Sequence, residues 1–96
     1  MRYFHRTTLS PEAVLEIAKG FFGGRMAPAE EAPRHRVYGG TLGRVVITAR
    51  PEGGHYTLVE LATDQVGEAE IDRLAKRFLA EVHRRAVPSY SVRGAY

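Results

Sequence analysis

Apolar residues recur along the last long segment at Ile71, Leu74, Ala75, Phe78, Leu79, Val82 and Ala86. This is the i, i+3, i+4, i+7 rhythm of one buried helix face. Asp72, Arg73, Lys76, Arg77, Glu81, Arg84 and Arg85 fall on the other side, so the spacing predicts an amphipathic helix over 71–86. A second helix is predicted from Pro11. Ser10 can cap free backbone N–H groups, Pro11 suits the first helical position, and Glu12 faces the positive end of the helix dipole. Val14, Ile17, Ala18, Phe21 and Phe22 then share a face, and Gly23-Gly24 ends it.

Strands are predicted where β-branched and aromatic residues gather. They are residues 2–8, a short one at 36–39, 44–50 and 55–63, with 24–35 read as a loop because Pro28 and Pro33 interrupt it. Pro51-Glu52-Gly53-Gly54 reads as a four-residue hairpin turn. That register pairs Arg50 with His55, and Ile47 with Leu58. It places Val45, Ile47, Ala49, Tyr56 and Leu58 on the core face, and Val46, Val59 and Leu61 on the opposite face. A slip of one residue would exchange the faces. The resulting order is β-α-β-β-β-α. The fold class is α+β, a single small domain over 1–88 with an antiparallel sheet and two helices packed on one face. Residues 89–96 form a C-terminal tail.

This order resembles, in miniature, that of the helix-grip domains, which bind lipids and small hydrophobic ligands. Thr7-Thr8-Leu9-Ser10-Pro11-Glu12-Ala13-Val14 and the final helix carry the likeness. The likeness is one of topology. A ligand-binding reading places the ligand between sheet and helices near the Gly24–His35 loop, where Arg25, Arg34 or Arg36 would meet an acidic group, and Phe21, Phe22, Met26 and Tyr56 would line the pocket.

Composition narrows the chemistry. Ninety-six residues allow one core. The absence of cysteine removes disulfides, thiolate metal sites and a cysteine nucleophile. No apolar run approaches the roughly 18 to 20 residues that cross a bilayer, and the expected location is cytoplasmic. Net charge is +3, with twelve of fourteen cations arginine. Residues 1–48 hold seven Lys/Arg against four Asp/Glu, a slight excess. A nucleic-acid reading would use Arg34, Arg36, Arg44 and Arg50. The α-β-β-β-α portion matches the order of double-stranded-RNA-binding domains, but Gly67-Glu68-Ala69-Glu70 puts acids where such domains need bases.

Catalytic motifs are not evident. His5, His35, His55 and His83 have no metal-ligand spacing, so neither a metal site nor a cofactor is expected. Glu60, between Val59 and Leu61, would be a poised acid if it faced the core. Gly39-Gly40-Thr41-Leu42-Gly43-Arg44 lacks the Lys-Ser/Thr and following helix of a phosphate loop. The favoured expectation is a non-catalytic interaction or accessory module, with a homo-oligomer or protein partner. Its interface would comprise Val46, Val59, Leu61, Tyr90, Val92 and Tyr96. The alternative is a small binding protein for a hydrophobic or anionic ligand.

Overall fold

A computed structural model describes residues 1–67 and 69–87. The α+β class holds. Five antiparallel strands form one open sheet with two helices on one face. In chain order the elements are β1 (Arg2–Thr7), α1 (Pro11–Phe22), β2 (Ala27–Ala32), β3 (His35–Gly40), β4 (Gly43–Glu52), β5 (Tyr56–Thr63) and α2 (Glu70–Ala86). The sheet order is β1-β5-β4-β3-β2, so β1 and β2 are the edges. The order expected from the sequence is kept, with one strand more.

That strand is β2, in the segment expected to be a loop. Its residues, Ala-Pro-Ala-Glu-Glu-Ala, have little strand propensity. Pairing with β3 draws the segment into the sheet, with Pro28 opposite Tyr38 and Glu31 opposite Arg36. Proline is tolerated because β2 is an edge strand whose register shifts between Pro28 and Glu30.

Helix α1 starts as its sequence dictates. The Ser10 hydroxyl accepts a hydrogen bond from the Ala13 N–H at 3.1 Å, and Pro11 occupies the first turn. Val14, Leu15, Ala18 and Phe22 are buried against the sheet, while Ile17 and Phe21 are only half-buried. Helix α2 buries Ile71, Leu74, Ala75, Phe78 and Val82. Phe22 sits at the centre, stacked on Tyr38 with ring centroids 5.7 Å apart and 5.3 Å from Phe78.

The β4–β5 register differs from the expectation. Pro51 and Glu52 remain in β4, and the loop is Gly53-Gly54-His55, with positive φ at both glycines (66° and 79°). Ile47 therefore pairs with Leu61, and Ala49 with Val59. The odd shift in register turns β5 over. Val59 and Leu61, expected on the outer face, are 0% and 1% exposed within the core cluster. Tyr56 and Leu58, expected in the core, face outward. The physical gain is clear: the expected register set Glu60 opposite Val45 inside the core, whereas the observed one fills the inner face with Val45, Ile47, Ala49, Val59 and Leu61.

One buried polar contact ties α2 to the sheet. Asp72, in the first turn of α2, is 0% exposed. Its Oδ1 accepts hydrogen bonds from Tyr3 Oη at 2.8 Å and Thr63 Oγ1 at 2.7 Å. Burial pushes this carboxyl up. The two hydroxyls, the Gly67 backbone and the positive charge at the Met1 nitrogen together outweigh burial and hold it below the usual carboxylate range.

Candidate functional site

Two surfaces gather features beyond those the fold requires. The first is the sheet face opposite the helices. Alternation puts Arg2, Phe4 and Arg6 of β1 on this side, with Leu58, Glu60 and Ala62 of β5 opposite them. Val46, Thr48, Arg50 and Glu52 of β4 continue it, and β3 adds His35 and Val37. Phe4 is 58% exposed and Tyr56 is 52% exposed. Leu58 and Val37 on the same face are buried, at 5% and 1% exposure. Beside Phe4 is a shallow depression of about 70 Å³, bordered by Val46, Thr48, Glu60 and Ala62. A projecting ring thus stands next to a hollow.

Two of the cations on this face are paired to its own carboxylates, while Arg2 makes no ion pair with a described residue. Arg6 Nε donates to Glu52 Oε1 at 2.5 Å, and Arg50 Nη2 donates to Glu60 Oε1 at 3.3 Å. The bond from Arg6 holds the Glu52 carboxyl below its ordinary range. Glu60 therefore does not face the core; it is a half-buried ion-pair partner on the outer face.

The second surface is a groove of about 760 Å³ between α1 and α2. Leu9, Ala13, Ile17 and Phe21 form its apolar wall, α1 also contributes Glu16 and Gly20, and α2 contributes Glu81 and Arg85. Glu81 accepts bonds from Arg84 Nη2 at 2.5 Å and from Arg85 Nε at 2.7 Å. Arg25 closes one end. Its Nη1 donates to the Phe21 carbonyl at 2.6 Å, and its guanidinium carbon lies 4.6 Å from the Phe21 ring centroid.

The residues expected to meet a ligand are not brought together. Arg25 lies past the C-terminal end of α1, whereas Arg34 pairs with Glu12 at its start, at 3.9 Å. Arg36 approaches Glu31 at 4.0 Å. Phe22 is fully buried, and Tyr56 is on the far side of the sheet. Of that set, Phe21 and Arg25 line the groove, and Met26 is buried in the core. Of the expected interface, Val46 lies on the open face, Val59 and Leu61 do not, and Tyr90, Val92 and Tyr96 fall outside the described residues. The four arginines of the nucleic-acid reading each have an acid nearby: Glu12, Glu31 and Glu60 for Arg34, Arg36 and Arg50, and Asp64 for Arg44. That pairing blunts the unbalanced positive field such binding needs.

The histidines form one pair. His5 and His83 meet edge to face with centroids 5.9 Å apart. Among the described residues no group of three or more His, Asp or Glu could hold a metal ion, and no helix is long and apolar enough to cross a membrane. Sequence reasoning overlooked Phe4, although the alternation Arg2, Phe4, Arg6 announces one outward-facing row. It also overlooked Asp72, which helical periodicity assigns to the polar side. Scans against family models, curated proteins and solved structures found no match.

Proposed function

We propose that this domain is a non-catalytic interaction module that pairs with a second copy of itself through the open sheet face. The observation that carries the reading is the exposed Phe4 ring standing beside a hollow on a face where Arg6 and Arg50 are each paired with a carboxylate of the same face. In a two-fold dimer each surface meets itself, so a projection needs a nearby recess and unpaired like charges are penalised. The hollow beside Phe4 supports the first demand, and the Arg6–Glu52 and Arg50–Glu60 pairs support the second for those two cations. Two sheets packing face to face lie about 10 Å apart.

The scale of the contact follows from the sheet. Five strands about 4.8 Å apart, and about 20 Å long, give a footprint on the order of 480 Å². This is below the roughly 800 Å² per partner of a standard interface. A contact of this size belongs with weak, transient associations, so exchange that depends on concentration is expected. Methyl NMR as a function of concentration tests the reading. The Val37, Val46 and Leu58 methyl signals are expected to shift together as concentration rises, with Val14, Ile47 and Val82 unchanged. Concentration-independent spectra up to millimolar protein would refute it.

A further inference from the structure

The groove between the helices is independent of the open face and calls for its own explanation. Ala13, Ile17 and Phe21 are spaced by four residues each and form one row along the flank of α1, with Leu9 before the helix and Arg25 after it lining the same groove. The stretch from Ala13 to Phe21 measures about 12 Å at the helical rise, and Leu9 extends it by another turn's length. The sheet does not cover this row: Ile17 and Phe21 remain half-buried. The opposite wall, from α2, is polar.

Gly20 is the second observation. It lies inside α1 and lines the groove, and a Cβ built there meets nothing within 4 Å. Glycine costs a helix about 1 kcal/mol relative to alanine. Its φ is not positive, and no packing contact requires it. Its absent side chain leaves open space beside Phe21. The third observation is charge. Arg25 forms no ion pair with a carboxylate among the described residues, yet it is held over the Phe21 ring at the end of the apolar row. Arg85, on the facing wall, commits only its Nε to Glu81.

We propose that this groove binds a monomeric long-chain carboxylate, with the alkyl chain along Leu9, Ala13 and Ile17, and the carboxylate at Arg25 with Arg85 facing it. The volume falls within the range of small-molecule sites. An apolar row with a cation at one end suits a thin amphiphile, with Glu81 occupied by Arg84 and Arg85, and the exposed Glu16 carboxylate as the acid the headgroup must avoid. A docking helix would need apolar surface on both sides.

The test is titration of the full chain with sodium dodecanoate below its micelle concentration, followed by calorimetry and by the Leu9, Ala13 and Ile17 methyl signals. The expected result is one-to-one binding that shifts those methyls. Arg25→Gln is expected to weaken it at least tenfold. Gly20→Leu is expected to abolish it without lowering the melting temperature. Phe4→Glu, on the opposite face, is expected to leave it unchanged, which separates this proposal from self-association. Absence of binding, equal binding of dodecyltrimethylammonium, binding to lipid vesicles alone, or an unaffected Gly20→Leu variant would each overturn it.

Discussion

Replacing Asp72 tests whether the buried contact at the start of α2 anchors that helix to the sheet. Asp72→Ala removes the carboxylate from the Tyr3 and Thr63 hydroxyls, which lie 2.8 and 2.7 Å from Oδ1. A hydrogen bond to a charged group contributes about 1.5–3 kcal/mol. Losing a negative charge from the first turn of a helix costs about 0.3–1 kcal/mol more. With partial relaxation of a 96-residue domain, the expected loss is about 3–5 kcal/mol, a large share of the roughly 5–15 kcal/mol available to a small protein. Asp72→Asn keeps the acceptor and loses the charge, so about 1–2 kcal/mol is expected. Urea denaturation followed by far-ultraviolet circular dichroism measures both. The midpoint should fall while the slope stays constant. The pH dependence supplies a second readout. The carboxyl is depressed in the folded state, so its stabilisation is fully present above the ordinary aspartate range and is lost as pH falls through the lowered folded value. Asp72→Asn should flatten that acid limb and leave the slope near neutrality unchanged. An Asp72→Ala variant within about 0.5 kcal/mol of the parent, the spread of neutral surface changes, would refute the reasoning.

Three further outcomes follow. Gly43 has φ +124°, and a Cβ there would lie 2.7 Å from Asp64 Oδ1, the acceptor of the Arg44 N–H. Gly43→Ala is expected to cost about 1–3 kcal/mol in chemical denaturation. At Gly20, where a Cβ meets nothing, alanine should instead stabilise by up to about 1 kcal/mol, read as a raised melting temperature. His5 is held below its ordinary value, first by burial and then by His83. Its contribution is therefore complete above the ordinary histidine range and declines as pH drops towards the lowered folded value. A stability profile between pH 7 and pH 5 should slope downward with acidity, and His5→Phe should reduce that slope.

The legibility of this fold in its sequence varies with the physics of each element. Both helices were readable, because Ser10-Pro11-Glu12 encodes a start in local chemistry and the α2 stripe repeats over four turns. The pairing of β4 with β5 was not. It depends on whether Pro51 and Glu52 belong to strand or turn. Glu52 stays in the strand, opposite Tyr56, and also receives Arg6 from the far edge of the sheet. A contact between residues 6 and 52 has no local signature. The consequence was large, since it moved Val59 and Leu61 inward and exposed Tyr56. Strand β2 was hidden for a related reason: Ala27–Ala32 has no strand composition of its own and takes its conformation from β3. On the open face, Val46 is legible from alternation, whereas the outward side of Phe4 depends on which partner β1 takes, and β1 pairs with β5 from the far end of the chain. The groove is not legible from periodicity, because Ile17 and Phe21 share the apolar stripe of α1, whose buried arc is centred on Val14, Leu15, Ala18 and Phe22.

The central claim is that the open sheet face is a self-complementary surface. The direct measurement is solution mass by multi-angle light scattering, across a concentration series from micromolar to millimolar, for the parent chain and for Phe4→Glu. Burying an aromatic side chain contributes about 1.5–3 kcal/mol, and a two-fold contact buries two copies of Phe4. The parent is expected to rise from 10.7 kDa towards twice that mass. Phe4→Glu should remain at the monomer mass throughout, with its melting temperature at low concentration unchanged. A parent chain that stays monomeric at millimolar concentration, or a Phe4→Glu variant that associates as the parent does, would contradict the account.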